Sequence, residues 1–217
     1  MRVGFYTSFR GDPLHYVLGG AMVRSVRAAM PGVEIIQLTD DTSPKVLGVD
    51  EVRRAPREKM ALDVVNHYSR CEGDWLLLDT DILVKRDIRG VFDDATWDLA
   101  FTDRDGMGAV GAKFAEANPY NIGVVFQRNG KAFWEAVAEG LKKEEDKLQS
   151  WMGNQVVACR LINSGKWNTQ FIPGGVYNYP PKSKEDSPPE AAILHFKGPK
   201  RKMWLWELAS GVLCEPV

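Results

Sequence analysis

Two aspartates one residue apart, Asp79 and Asp81, follow an apolar run that begins at Trp75. The run is too short to span a membrane and too apolar for a surface loop, so it predicts a buried strand with both carboxylates at its end. Two carboxylates held this close repel each other unless a cation lies between them. Oxygen ligands favour Mg²⁺ or Mn²⁺, which keep positions open for phosphate oxygens. Aspartates that only bind nearby backbone amides at a strand end are the alternative.

A histidine near the other end of the chain, His195, is followed by the basic run 197–202, Lys-Gly-Pro-Lys-Arg-Lys. Gly198 lets backbone N–H groups come close to an anion. A metal-bound diphosphate keeps excess negative charge that adjacent lysines neutralise. We therefore expect His195 and the basic run to belong to the same site as the two aspartates. A hydrogen-bonded polar histidine beside a solvated basic surface is the alternative.

The elements that must position these groups alternate along the first half of the chain. The order strand–helix–strand–helix–strand is predicted with elements at 2–8, 14–30, 33–38 and 57–71 and the aspartate strand, plus a short strand near 49–52. This order predicts an α/β fold with a mostly parallel central sheet and helices on both faces. Ligands of such sheets bind at the carboxyl ends of the strands, which is where the two aspartates lie.

The second half of the chain is less regular. It predicts strands at 98–102, 121–127, 169–172 and 191–196, and helices at 131–143 and 151–162. Phe133, Val137 and Leu141 share one face of the first helix, and Ser150 is the expected N-cap of the second.

The bulk composition points to one globular domain of 217 residues. A formal net charge of -1 gives no reason to expect nucleic acid or an anionic membrane as the main partner. The three cysteines lack metal-ligand spacing, so buried thiols in a reducing cytoplasm are expected. No signal-peptide core and no membrane-spanning run is seen, and we predict a soluble cytoplasmic protein without a transmembrane segment.

Six segments together resemble glycosyltransferase family 8, the glycogenin-like branch of the GT-A nucleotide-sugar transferases. The resemblance covers nearly the whole chain, with the segments in the family's order. They are Tyr16-x-x-Gly19-Gly20-Ala21, Lys59 ahead of Tyr68-Ser69-Arg70-Cys71, Asp79-Thr80-Asp81, Asn121-Ile122-Gly123-Val124-Val125, Phe171-Ile172-Pro173 with Tyr177-Asn178, and His195-Phe196-x-Gly198 with Lys202-Met203-Trp204.

The resemblance implies a GT-A (Rossmann-like) single domain over residues 1–217. Its nucleotide-binding half, 1–103, ends in the Asp-x-Asp strand, and its donor-sugar and acceptor half, 104–217, carries the C-terminal metal and phosphate motif. The implied activity is transfer of a hexose from a UDP-sugar, with Mn²⁺ or Mg²⁺ as cofactor and retention of anomeric configuration. The acceptor, whether a glycan, a protein or a small molecule, is left open.

The resemblance also implies roles for individual residues. The metal ligands are Asp79, Asp81 and His195. Tyr16 stacks on uracil, and Thr7 or Ser8 binds the base edge. The implied catalytic residues are Asn154, Gln155 and Lys202. The further implied donor-binding residues are Lys59, Thr80, Asn121, Gly123, Gly198 and Lys200.

Two departures from the family pattern bear on these roles. The closing motif has one extra residue before its lysine, so Lys200, Arg201 or Lys202 is a candidate for the phosphate contact. Asn154 stands where the family has aspartate, and an asparagine cannot be an anionic nucleophile. This departure keeps a non-catalytic module that binds a nucleotide-sugar or a glycan as an alternative.

A phosphatase of the haloacid-dehalogenase type is a further alternative, because its nucleophile strand has a similar pattern. That class carries the strand near its N-terminus and needs a later acidic Mg²⁺ pair. Asp103 and Asp105 are a poor fit to such a pair.

Overall fold

The computed structural model describes residues 1–9, 13–93, 95–104, 118–150 and 152–212. A short 3₁₀ helix covers Arg89–Phe92. The other elements follow in chain order as β1 Arg2–Tyr6, α1 Leu14–Ala29, β2 Glu34–Asp40, β3 Glu51–Ala55, α2 Met60–Tyr68, β4 Trp75–Leu78, β5 Ile82–Val84, β6 Leu99–Asp103, β7 Tyr120–Gln127, α3 Lys131–Leu141, α4 Asp146–Ser150, α5 Gly153–Asn163, β8 Thr169–Ile172, α6 Gly174–Tyr177, β9 Ile193–His195 and α7 Pro199–Val212.

The main sheet has seven strands in the order β3-β2-β1-β4-β7-β6-β8. Strands β3, β2, β1 and β4 are parallel neighbours, and β6 is parallel to β8. Strand β7 runs antiparallel to both β4 and β6. The predicted mixed α/β domain with a mostly parallel central sheet is therefore confirmed. The strand order reverses between β1 and β4, and the carboxyl ends at such a reversal form the usual ligand crevice.

Alternating side chains of β4 explain why helices cover both faces of the sheet. Leu76 and Leu78 pack into the cluster that contains α1, whereas Trp75 and Leu77 pack into the cluster that contains α2, α3 and α5. Successive strand residues point to opposite faces, so a strand buried on both sides needs a continuous apolar run. The run before Asp79 meets this requirement.

A second, two-stranded sheet pairs β5 with β9 in antiparallel register. Ile82 lies opposite His195, and the backbone N–H of Phe196 donates to the carbonyl of Asp81 at 2.8 Å. The apolar residues on the two sides of Asp79 and Asp81 thus belong to different sheets. Separate pairing of β5 brings the C-terminal histidine to the aspartates.

The predicted helix at 151–162, with Ser150 as its N-cap, is wrong at its start. Ser150 is the last residue of the separate helix α4, and α5 begins only at Gly153. Met152 stands at the N-cap position of α5 with φ 60°. A Cβ at Gly153 would lie 2.1 Å from the carbonyl oxygen of Leu148, so glycine permits this close approach of the two helices. Trp151 lies outside the described residues.

Two of the three cysteines, Cys71 and Cys159, are buried free thiols as predicted. Cys214 lies outside the described residues. No helix in the described part of the chain combines the length and the apolar character needed to cross a bilayer.

Candidate metal and nucleotide site

Three predicted metal ligands meet at the carboxyl end of β4. One ligand atom from each of Asp79, Asp81 and His195 lies within 4.8 Å of the other two. His195 Nε2 is 3.0 Å from Oδ1 of Asp81 and 3.5 Å from Oδ2 of Asp79. Strand β4 positions the first aspartate, and the β5–β9 ladder positions the other two ligands. Within the described ranges, this is the one group of three acidic, histidine or cysteine side chains placed to share a metal ion.

The three ligands differ in their access to solvent. The side chains of Asp81 and His195 are buried, whereas 52% of the Asp79 side-chain surface is exposed. A cation between them would be enclosed by protein on one side and open on the side of Asp79. Mn²⁺ and Mg²⁺ sites that bind phosphates need such an open side.

The two carboxylates of this cluster repel each other, and their surroundings shift the pKa values of all three ligands. The protein atoms crowded around the carboxyl, and then the charge of Asp81, raise the pKa of Asp79 well above its usual range. Burial alone would raise the pKa of Asp81, but His195 and Lys202 outweigh it and hold that pKa well below its usual range. Burial and the charge of Lys197 lower the pKa of His195 to about 4. Burial thus favours the neutral imidazole, which is the form that binds a metal ion.

Gly123 leaves the space that this cluster occupies. An added Cβ at this position of β7 would lie 2.4 Å from Cε1 of His195 and 2.5 Å from Oδ2 of Asp79. Real Cβ atoms do not approach other atoms this closely, so only glycine fits beside the ligands. Its carbonyl also accepts a hydrogen bond of 2.8 Å from the backbone N–H of Asp79.

Among the three basic candidates for the phosphate contact, Lys202 lies at the cluster. Its Nζ is 3.4 Å from Oδ2 of Asp81, and 17% of its side chain is exposed. Lys200 instead places its Nζ 5.4 Å from the centre of the Trp204 ring, and Arg201 donates to the carbonyl of Pro181 at 2.6 Å.

A further basic group close to the cluster, Lys197, is the first residue of the basic run that the sequence placed in this site. Burial, followed by the charge of Arg104, lowers its pKa to about 7, while Asp79 and Asp81 act in the opposite direction. Lys197 therefore places a further basic group beside the two carboxylates.

The predicted base-binding residues contain two buried hydroxyls without hydrogen-bond partners. Thr7 Oγ1 and Tyr16 Oη are both buried and unpartnered, Thr7 just beyond the end of β1 and Tyr16 in the first turn of α1. An unpartnered buried hydroxyl costs free energy, so such groups favour a ligand that can pair with them. Ser8, in contrast, donates its hydroxyl hydrogen to Asp40.

The middle residue of the Asp-x-Asp segment, Thr80, lies close to α1. Its Oγ1 is 2.9 Å from Nδ1 of His15. A Cβ added at Gly19 would meet the Thr80 methyl group at 3.7 Å, which is ordinary contact. The start of α1 therefore packs directly against the residue between the two aspartates.

The predicted sugar-contacting amides are held by hydrogen bonds within the protein. Gln155 is buried on α5; its Oε1 accepts from the backbone N–H of Ile122 at 3.0 Å and its Nε2 donates to the carbonyl of Tyr120 at 2.6 Å. Asn121 is also buried, and its Oδ1 accepts from the N–H of Gly123 at 3.0 Å. Asn154 Oδ1 accepts from the N–H of Gln155 at 2.9 Å. These amides are already occupied by protein partners.

Lys59 precedes α2 and contacts α4 rather than the metal cluster. Its Nζ is 2.6 Å from Oδ1 of Asp146 and 3.1 Å from Oε1 of Gln149. Asp146 is exposed, so the ion pair contributes little stability and can open. A donor contact by Lys59 requires this side chain to move from α4 or to be shared with it.

The donor set fits a divalent cation. Two carboxylates and a neutral imidazole offer the oxygen and nitrogen atoms that Mn²⁺ accepts, and three protein ligands leave further positions for phosphate oxygens. The glycine beside them shows that the backbone is shaped around this cluster. Asn178, which touches Nδ1 of His195 at 2.7 Å, received no role from the sequence. Only its position after Tyr177 in the resembling segment marked it.

Comparisons with known proteins define the fold class. No family model matches the chain, and no curated protein matches it either. Three solved glycosyltransferase structures match nearly the whole chain, and at identities of 13% to 17% their likeness shows a shared fold alone.

These three structures illustrate the likeness. The apo-form glycosyltransferase GlyE of Streptococcus pneumoniae TIGR4 matches with a TM-score of 0.65 and 17% identity, over 98% of this chain and 62% of that one, so this chain spans about three fifths of GlyE. The galactosyltransferase LgtC, in complex with donor and acceptor sugar analogs, matches with a TM-score of 0.60 and 15% identity, over 100% of this chain and 98% of LgtC. A glycosyltransferase involved in glycosylation of the major capsid of PBCV-1 matches with a TM-score of 0.62 and 13% identity, over 97% of this chain and 100% of that one.

Proposed function

We propose that the chain is a metal-dependent glycosyltransferase that moves a hexose from a UDP-sugar, UDP-glucose or UDP-galactose, to an acceptor with retention of anomeric configuration. The observation that carries the proposal is the Asp79–Asp81–His195 cluster at the carboxyl end of β4, beside the reversal of strand order. A shared fold with glycosyltransferases supports it, and one of them was solved with donor and acceptor sugar analogs.

The metal ligands in this proposal are Asp79, Asp81 and His195. When bound there, Mn²⁺ or Mg²⁺ supplies Lewis-acid stabilisation of the negative charge that builds on the departing diphosphate. Lys202 adds a positive charge 3.4 Å from Asp81 and so lies where it can pair with a phosphate oxygen. Gly198, with φ 81°, lets the chain turn at the start of α7 so that backbone N–H groups can approach the phosphate.

The nucleoside end of the donor is assigned to the residues between β1 and α1. Tyr16 offers its ring for stacking on uracil and its hydroxyl as a free polar group. Thr7 offers a second free hydroxyl for the base edge, while Ser8 can act only through the lone pairs of its oxygen because its hydrogen is donated to Asp40. Thr80, held beside His15, completes the wall near the aspartates.

The sugar end is assigned to Lys59, Asn121, Gly123, Asn154 and Gln155, with Lys200 near the phosphates. Because Asn154 cannot form a covalent intermediate through a carboxylate, we propose same-face attack by the acceptor, with the leaving phosphate assisting removal of its proton. Gln155 and Asn121 position the backbone of β7 in the free protein, so contacts of their amides with sugar hydroxyls require a change of partner.

Thermal stabilisation by nucleotide-sugars, with and without Mn²⁺, tests the proposal first, because a ligand that binds the native state raises the melting temperature. UDP-glucose or UDP-galactose should stabilise the chain only with the metal and should then be hydrolysed or transferred. Asp81→Ala should abolish metal-dependent UDP binding in calorimetry, and His195→Ala should weaken it less while still reducing turnover. Unaltered UDP–Mn²⁺ affinity in the Asp81 variant would refute the site.

The second candidate is a non-catalytic module that binds a nucleotide-sugar or glycan. Asn154 and the occupied amide of Gln155 favour it. Metal-dependent donor binding without hydrolysis or transfer would support this module over the enzyme.

Release of phosphate from a phosphate ester with Mg²⁺ would support the phosphatase alternative. In the structure, Asp103 accepts a hydrogen bond of 2.9 Å from the N–H of Gly174, and Asp105 lies outside the described residues.

A further inference from the structure

A row of buried amides connects helix α5 to His195. Gln155, Asn121 and Asn178 follow one another by hydrogen bonds, and the last reaches Nδ1 of His195 at 2.7 Å. All four side chains are buried, with 0% exposure for Asn178. Each contact between buried amides needs a donor nitrogen and an acceptor oxygen, so the orientation of one amide fixes the orientation of the next.

Two backbone N–H groups fix that direction, because a backbone N–H can only donate. The N–H of Gly123 points at one terminal atom of Asn121 at 3.0 Å, which must be the oxygen. The N–H of Ile122 points at one terminal atom of Gln155 at 3.0 Å, which must also be the oxygen. Asn121 then turns its nitrogen toward the Gln155 oxygen, at 3.5 Å. The backbone N–H groups of Gly123 and Ile122 therefore fix the same orientation of the Asn121 amide.

The orientation of Asn178 follows from that of Asn121. The atom of Asn178 that lies 2.8 Å from the Asn121 oxygen must be the nitrogen. The same nitrogen also donates to Oγ1 of Thr102 at 2.6 Å. Both hydrogens of the Asn178 nitrogen are then used. The other terminal atom, 2.7 Å from Nδ1 of His195, is therefore the oxygen, and Nδ1 must carry the hydrogen.

We propose that Asn178 is a positioning residue that holds His195 in the Nδ1–H tautomer, so that the unprotonated Nε2 faces Asp79 and Asp81. The lone pair of Nε2 then points at two carboxylates, at 3.0 and 3.5 Å, an arrangement of three acceptors that a cation satisfies. Without Asn178, the ring can place its hydrogen on Nε2 and donate it to Asp81, which blocks the ligand position. Hydrogen-bonded partners of metal-binding histidines act in this way in general.

The tautomer is a property of the free protein, whereas its use in metal binding rests on the proposed function. Long-range ¹H–¹⁵N correlation of the imidazole nitrogens distinguishes the two tautomers directly. The chain has three histidines, and His15→Gln and His67→Gln assign the remaining signals to His195. The unmodified chain at pH 7 should show hydrogen on Nδ1 of His195. Hydrogen on Nε2 would overturn the proposal.

Asn178→Leu removes the acceptor and keeps a similar shape. It should move the His195 hydrogen to Nε2, at least in part, and weaken Mn²⁺ binding measured by electron paramagnetic resonance by about 10–100-fold. Thr102→Val is the matched control, because it deletes a buried partner of the same amide but leaves Asn121 to fix its orientation. The His195 tautomer and the Mn²⁺ affinity of Thr102→Val should match those of the unmodified chain. A folded Asn178→Leu variant with the Mn²⁺ affinity of the unmodified chain would contradict the positioning role of Asn178.

Asn178→Asp covers the case in which the Leu variant fails to fold, because a carboxylate can only accept from Nδ1. It should keep the hydrogen on Nδ1 of His195, and an Nδ1 without hydrogen in this variant would overturn the proposal. An unmodified chain with hydrogen on Nδ1 that binds no Mn²⁺ would refute the metal centre of the proposed function while supporting the tautomer assignment.

Discussion

His195 Nε2 lies 3.0 Å from Oδ1 of Asp81, although the two residues are 114 positions apart in the chain. The contact follows from the register of the small sheet, in which His195 pairs with Ile82, the residue after Asp81. The small sheet thus assembles the candidate site, and changes that shift β5 or β9 act on the metal ligands as well as on packing.

Gly123→Ala should damage the metal cluster more than the fold. The new methyl group would sit 2.4 Å from the His195 ring and 2.5 Å from a carboxylate oxygen of Asp79, so these side chains must move apart. We expect Mn²⁺ affinity, measured by electron paramagnetic resonance, to fall about tenfold or more, as for changes next to metal ligands. Gly175→Ala is the control, because nothing lies within 4 Å of its added Cβ. Equal Mn²⁺ affinity in both variants would contradict the assignment of this space.

Lys202→Ala should weaken UDP binding far more than Lys200→Ala. Lys202 points at Asp81, whereas Lys200 lies over Trp204. Loss of one charge-assisted hydrogen bond costs about 1.5–3 kcal/mol, which corresponds to at least a tenfold loss of affinity. Calorimetric titration of UDP in the presence of Mn²⁺ measures both variants. A larger loss in the Lys200 variant would move the phosphate contact to that residue and away from Lys202.

Local patterns were enough to predict elements whose own spacing of apolar residues defines them. The apolar face of α3, with Phe133, Val137 and Leu141, is buried as its helical spacing indicates, and β8 has the predicted bounds. These features depend on periodicity within a single element, which a sequence displays directly. The three metal ligands were predicted from residue type and from the family resemblance, and the structure brings them together.

Features that depend on distant partners could not be predicted in this way. The three residues of β5 continue the apolar pattern beyond Asp81, and only their pairing with β9 shows that they leave the main sheet. The break between α4 and α5 depends on the close contact of Gly153 with Leu148. Asn178 matters because of what surrounds it in the fold, and its type and spacing alone indicate a turn as readily as a ligand partner.

Thr7→Val and Tyr16→Phe should separate nucleotide binding from stability. Both hydroxyls are buried without partners, so removing either should leave the free energy of unfolding unchanged or slightly higher. If they bind the nucleotide, UDP affinity should fall about fivefold for each, from the loss of about 1 kcal/mol per hydrogen bond. Urea unfolding without ligand and calorimetry with UDP and Mn²⁺ give the two quantities. Variants that lose stability but keep UDP affinity would assign these hydroxyls to the fold.

Acid should weaken the fold through Asp40, which closes β2 beside the predicted base site. Burial alone would raise the pKa of Asp40, but hydrogen bonds from Ser8, Ser43 and Thr42 outweigh it and hold the pKa well below its usual range. Arg57 adds an ion pair at 3.0 Å. Because the folded pKa lies below the unfolded value of about 3.9, the stabilisation is complete above that pH and is lost as the pH falls through the folded pKa.

Asp40→Asn tests this pH dependence, since an amide does not titrate. Urea unfolding at pH 7 should show the variant less stable than the unmodified chain, and the difference should shrink by roughly 2 kcal/mol toward pH 3 and below. Asp41→Asn, with an exposed side chain, is the neighbouring control and should change stability little at either pH. A stability difference between Asp40→Asn and the unmodified chain that stays constant from pH 7 to pH 3 would show that the carboxylate's charge does not stabilise this end of β2. The hydrogen bonds from Ser8, Ser43 and Thr42 would then stabilise this end of β2 independently of the charge of Asp40.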